Sequence, residues 1–185
     1  AIVTGTVGRH SYDQLCWRDK DYNIFPQMAT DWNMSPDGLT YTFTVRDGIT
    51  FHDGSALSMD DVMESHSRFA RVDPLGRQLL AISPGNEGKS SKDSAFSQSA
   101  DGNTITMSFS KPTGMVLEFL AQLDPRQPSI MHKDVWSLKP GEPVKTAVGT
   151  GAYKMDKWIQ GEKLEFSKFD GYVPNSGEEW NFTKG

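Results

Sequence analysis

Polar and apolar residues alternate along several short stretches of this chain. Leu39, Tyr41, Phe43 and Val45 alternate with Thr40, Thr42 and Thr44. A period of two turns one face of an extended strand toward a core, so this stretch predicts a strand with one apolar face. The same period recurs where Ile105, Met107 and Phe109 alternate with Thr104, Thr106 and Ser108, and where Leu164 and Phe166 alternate with Glu165 and Ser167. Asp-Gly pairs stand at Asp37-Gly38, Asp47-Gly48, Asp53-Gly54, Asp101-Gly102 and Asp170-Gly171. Asp tolerates left-handed dihedrals and Gly adopts them freely, so these pairs predict tight turns between strands. The pattern is one of antiparallel hairpins.

Helical periodicity is rarer. Met59, Val62, Met63, His66 and Phe69 recur at helical spacing. Ser58 is a good N-cap, and Asp60 and Asp61 in the first turn suit the helix dipole. This helix is expected to run to about Arg71, before Asp73-Pro74. A second is expected from Gly114 to Leu123, following Pro112, with Val116, Leu117, Phe119 and Leu120 apolar. Residues 83–100 are polar and Ser-rich and read mostly as an exposed loop or ragged hairpin arm. Few helices among many hairpins make an α+β chain.

Composition narrows the function. The chain has 185 residues and a net charge of -5, long enough to bury a core without crosslinks. No apolar run approaches the ~18 residues of a membrane span. No Lys/Arg excess supports nucleic-acid binding. The single cysteine, Cys16, lies in apolar Leu15-Cys16-Trp17 and reads as a small buried hydrophobe. The chain starts at Ala1 with neither initiator Met nor signal peptide, which reads as a cut N-terminus.

Three motifs approach known chemistry. Residues 83–90 (SPGNEGKS) resemble a phosphate-binding loop, but position 83 is Ser, and no apolar helix follows to aim its N-terminus at a phosphate. Asp19-Lys20-Asp21-Tyr22-Asn23 opens like a calcium loop. Ile24 and Thr30 then stand where Gly and Glu are needed, so an acidic turn between two strands is expected. The histidines, His10, His52, His66 and His132, show no paired metal-ligand spacing. His66 falls on the apolar face of its helix and reads as a core histidine. His52-Asp53 offers half of a catalytic pair, and a hydrolase using it is the alternative function. No Gly-x-Ser-x-Gly elbow supplies a nucleophile. No cofactor or metal is implied.

The region from Pro26 to Val62 carries a more specific pattern. It holds Pro26, Ala29 and Trp32, then Ser35 with Asp37-Gly38, then Thr40-Tyr41-Thr42-Phe43, Arg46, Gly48, Phe51-His52-Asp53-Gly54, Leu57 and Asp61-Val62. A later block holds Gly149-Thr150-Gly151-Ala152-Tyr153, Trp158, Gly161, and Asp170 with Tyr172. Together they resemble the peptide/nickel family of extracytoplasmic solute-binding proteins, family 5, the dipeptide- and oligopeptide-binding-like receptors of ABC importers. The resemblance spans most of the chain and is weakest in 80–103.

The resemblance implies the fold and the mechanism. The fold is that of the type II periplasmic binding proteins, whose two lobes close over a ligand and then dock on a membrane permease. Residues 1–25 and 146–185 would belong to the first ligand-binding lobe, and 26–145 to a mainly β subdomain. The second lobe would be absent, leaving a fragment with one wall of the cleft. Family members line that wall partly with a loop before the Tyr12-Asp13-Gln14-Leu15 segment. Thr4, Gly5, Thr6 and Arg9 are therefore the candidate ligand-binding residues. The resemblance also implies peptides or similar small solutes as ligands and ABC permease subunits as partners. It implies a periplasmic or extracytoplasmic location, with a lipid anchor as one option. A sensor or chaperone-like relative would keep this fold without transport. A surface stripped of its packing partner would also favour self-association.

Overall fold

The computed structural model describes residues 2–82, 96–98, 102–123, 127–139, 142, 147–159 and 161–174, with 2–6 and 96–98 described by backbone alone. In chain order, helix α1 (Ile2–Ser11) is followed by strands β1 (Cys16–Arg18), β2 (Ile24–Pro26), β3 (Ala29–Met34) and β4 (Thr40–Val45). Helices α2 (Met59–Val72) and α3 (Pro74–Ala81) come next, then β5 (Phe96–Gln98) and β6 (Thr104–Ser108). Helices α4 (Met115–Leu120) and α5 (Lys133–Trp136) precede the hairpin of β7 (Tyr153–Ile159) and β8 (Lys163–Lys168).

The Thr/apolar alternation does what its period requires. In β4, Tyr41, Phe43 and Val45 are buried while the threonines between them stay half-exposed. β4 pairs antiparallel with β6 so that Tyr41 faces Met107 and Phe43 faces Ile105. Directly opposed apolar side chains on one face are the stabilising unit of such a sheet. The sheet runs in the order β3-β4-β6-β5. Gly38, Gly48, Gly54 and Gly102 all have positive φ, so four of the Asp-Gly pairs turn as expected.

Helix α2 covers the sheet with Met59, Val62, Met63, His66 and Ala70, all buried. Its start is a full capping box: the Ser58 hydroxyl accepts from Asp61 N at 3.2 Å, and Ser58 N donates to the Asp61 carboxylate at 3.0 Å. The other Asp61 oxygen accepts from Trp136 Nε1 at 2.8 Å, which ties α5 to α2. His66 is fully buried, and its Nδ1–H donates to the Val62 carbonyl at 2.7 Å. Burial pushes its pKa down to about 4, so it sits in the core neutral. Cys16 is also fully buried, and burial pushes its thiol up to about 12.

Three expectations are corrected. Helix α1 runs through residues 4–9, where a loop is expected. The helix expected from Gly114 to Leu123 is confined to Met115–Leu120. Helix α3 was not foreseen at all: Asp73 ends α2 and also caps α3, accepting from Leu75 N and Gly76 N, with Pro74 at the first helical position. Of the Ser-rich segment, residues 96–98 pair with β6 as β5, and residues 83–95, with the phosphate-loop near-match, lie outside the described residues.

Candidate functional site: a cavity at the end of the first helix

The site begins with close backbone packing. Gly151 N donates to the Ser11 carbonyl at 3.1 Å, at the C-terminus of α1. A Cβ on Gly151 would lie 2.7 Å from the His10 carbonyl oxygen, and one on Gly149 would overlap the Ser11 carbonyl. Only glycine fits at either position. His52 locks the same segment from the other side. Its Nδ1 accepts from Gly149 N at 3.3 Å, and its Nε2–H donates to Gly151 O at 2.9 Å. Burial lowers its pKa, consistent with a neutral ring used at both nitrogens. Asp53 turns away to Ser55, whose N–H and hydroxyl it accepts at 3.0 and 2.7 Å, and to His132 at 3.6 Å. The residues of the hydrolase alternative are therefore occupied in holding backbone and a turn.

This packing sets up a cavity of about 720 Å³ between the end of α1, the β1–β2 hairpin and the β7–β8 hairpin. Asp13 lies at its floor, almost fully buried. Gln27 Nε2 donates to one carboxylate oxygen at 3.0 Å and the Thr150 hydroxyl to the other at 3.3 Å. Gln27 also accepts from Gln14 N at 3.0 Å, which joins the floor to the strand that follows. Burial pushes Asp13 up to about 6, against the pull of Arg46 and the Thr150 hydrogen bond. Arg46 is itself anchored to the Val173 carbonyl at 2.6 Å. Tyr12 is pushed up to about 12 by burial, and Tyr172 is raised by burial and by Asp13.

The walls combine cations and aromatic rings. Arg9 and His10 come from α1, Trp17 and Arg18 from β1, and Lys20 from the turn after it. Tyr153 and Phe166 face in from the β7–β8 hairpin. The His10 ring stands edge-on to Tyr153 at 5.9 Å and tilted against Phe166 at 5.5 Å. The turn over Asp19–Asn23 is the acidic turn expected between two strands. Asp19 accepts from Asp21 N, Asn23 N and Asn23 Nδ2 at 2.8–2.9 Å, which holds its carboxyl below the usual range. Tyr22 in that turn has φ 66 and is 75% exposed, with the Arg18 guanidinium 5.8 Å from its ring centre. Among the described residues, no group of three or more His, Cys, Asp or Glu is placed to hold a metal ion.

Of the expected site residues, Arg9 lines the cavity. Thr4, Gly5 and Thr6 lie on α1, and their side chains fall outside the described residues. Trp17, Arg18, Lys20, Tyr153 and Phe166 were missed. The signal for the first three was present as the run Trp17-Arg18-Asp19-Lys20, directly after the Tyr12-Asp13-Gln14-Leu15 segment.

Comparison with known proteins agrees with this arrangement. Residues 23–182 match the family described as bacterial extracellular solute-binding proteins, family 5 Middle. The chain belongs to this family of solute-binding receptors, whose members are periplasmic or extracytoplasmic. It is 31% identical over 179 residues to a probable peptide ABC transporter periplasmic-binding protein of Sinorhizobium fredii, covering 94% of this chain and 31% of that protein. It is 28% identical over 176 residues to the glutathione-binding protein of Salmonella typhimurium, covering 92% and 31%. The chain thus spans about a third of the length of these relatives. Among solved structures, the agropinic acid complex of a periplasmic binding protein from A. tumefaciens R10 aligns with a TM-score of 0.71 and 26% identity, over 92% of this chain and 33% of that one. The Escherichia coli murein tripeptide binding protein, 23% identical with a TM-score of 0.70 over 91% of this chain and 34% of that one, shows the same fold.

Proposed function

We propose that this chain is part of the solute-capturing component of an ABC importer, holding peptides or similar small solutes and delivering them to a membrane permease. The observation that carries this reading is the cavity. It is of ligand size, about 720 Å³, and it combines apolar rings with a few convergent polar groups, as small-molecule sites do. Its floor is fixed by the Gly149–Gly151 packing and by the Asp13 hydrogen bonds, so the wall is pre-formed. The relatives named for peptide transport, glutathione and agropinic acid support small, polar organic solutes as the ligand class. The protein works outside the cytoplasm, free or held by a lipid anchor, with permease subunits as its partners. Residues 1–25 and 146–185 belong to the first ligand-binding lobe and 26–145 to a mainly β subdomain, which adds Gln27, Leu123 and Gln127 to the cavity lining.

A wall that supplies about half of a clamshell's contacts supplies about half of its binding free energy. Half of a micromolar interaction leaves roughly millimolar affinity. Titration of the isotope-labelled 185-residue chain with di- to tetrapeptides, followed by amide NMR, tests the reading. The expected result is weak, saturable shifts confined to residues 12–20 and 151–153. Absence of any shift there with every peptide up to about 10 mM would overturn it.

A further inference from the structure

We infer that the cavity wall formed by Arg18 and Lys20 takes the carboxylate of the bound solute, while the His10–Tyr153–Phe166 wall takes an apolar or aromatic portion of it. This inference rests on the solute-binding reading above and narrows its ligand to organic acids with an apolar body.

The charge balance of the cavity supports this. Its lining carries Arg9, Arg18 and Lys20 against Asp13 and Asp19. Both carboxylates are committed within the protein. Asp13 is held by Gln27 and Thr150 with Arg46 close by, and Asp19 by two backbone N–H groups and the Asn23 amide. Asp13, almost fully buried, is not available to answer a cation on a solute. Lys20 is held more loosely. Lys20 pairs with Asp21, both well exposed, and such a pair exchanges readily for another anion. Arg18 pairs with Glu118, whose side chain is 55% exposed against 14% for Arg18. A guanidinium presents several N–H groups in one plane, a geometry suited to a carboxylate.

The opposite wall is of another kind. His10, Tyr153 and Phe166 meet ring against ring, at 5.9 and 5.5 Å from the His10 centre. Stacked rings of this sort offer apolar area with little freedom to lose on binding. A solute spanning both walls needs an acidic group and an apolar body in the same molecule.

N-acetylphenylalanine and its uncharged amide test this, titrated into the 185-residue chain and followed by amide NMR. The acid is expected to bind about fivefold more tightly than the amide. That preference is expected to fall below about twofold in Lys20→Gln and in Arg18→Gln, and to weaken as salt is added. Lys20 lies on an exposed turn, so Lys20→Gln keeps the test valid should Arg18→Gln fail to fold. Equal binding of acid and amide, or a preference that survives Lys20→Gln, overturns the inference while leaving the receptor reading intact. No shift at any cavity residue with either compound overturns this inference, whereas the peptide titration alone decides the receptor reading.

Discussion

His66 and Asp13 should pull the stability of this fold in opposite directions as pH changes. The unfolded chain protonates His66 near its ordinary value of 6.5, but the folded chain does so only near about 4. As pH falls through that window the unfolded state binds the extra proton, so stability is lost on acidification. The shift corresponds to about 3 kcal/mol. Asp13 behaves in reverse. Its folded value is about 6 against an ordinary 3.8, so its stabilising contribution is complete below 3.8 and is lost as pH rises through 6. That loss is also about 3 kcal/mol. The two windows overlap between pH ~4 and ~6, where the contributions largely cancel. Single variants should expose them. His66→Leu leaves Asp13 alone, and stability should then fall as pH rises across the window. Asp13→Asn leaves His66 alone, and stability should rise. Urea unfolding followed by tryptophan fluorescence at several pH values gives each slope, and the surface carboxylates common to both variants drop out of the difference. If the two variants show the same slope, the reasoning is refuted.

Three further outcomes are expected. Gly149→Ala places a methyl on the Ser11 carbonyl and should cost about 2–4 kcal/mol in chemical unfolding, because backbone rather than a flexible side chain must move; a loss below about 0.5 kcal/mol would mean the α1 contact is looser than described. His52→Ala removes two hydrogen bonds to backbone and should cost about 2 kcal/mol, while His52→Gln should recover part of that; a variant as stable as the parent would remove His52 from its structural role. Trp158 is 54% exposed on the β7–β8 hairpin, with Tyr153 and Val173 also exposed. Light scattering should therefore show concentration-dependent self-association that Trp158→Ser reduces, and a strict monomer at high concentration would contradict this.

The parts legible in the sequence were those whose local chemistry and tertiary role agree. β4 and β6 bury one face and expose the other, so their alternation reports their position directly. Ser58 with Asp61 is a capping signal complete within four residues. Helix α1 was hidden because Val3, Thr4, Gly5, Thr6 and Gly8 all disfavour helix locally. Its C-terminus is fixed by glycines nearly 140 residues away, where Gly151 N meets Ser11 O and Thr150 meets Asp13. Helix α3 was hidden because Asp73-Pro74 reads as a stop signal, although the same pair also makes a good start. The cavity was legible only at Arg9, through family resemblance. Alternation groups Phe166 with Leu164 on one face of its strand, but it does not show that His10 stands opposite.

The double grip of His52 on Gly149 and Gly151 bridges 97 and 99 residues of chain. Between those two points the chain meets the cavity again, at Leu123 and Gln127, and Ile130 N donates to the Asp13 carbonyl at 2.9 Å. The solute-facing wall is thus stitched from segments far apart in sequence, and its narrowest tolerance falls on two glycines and one imidazole.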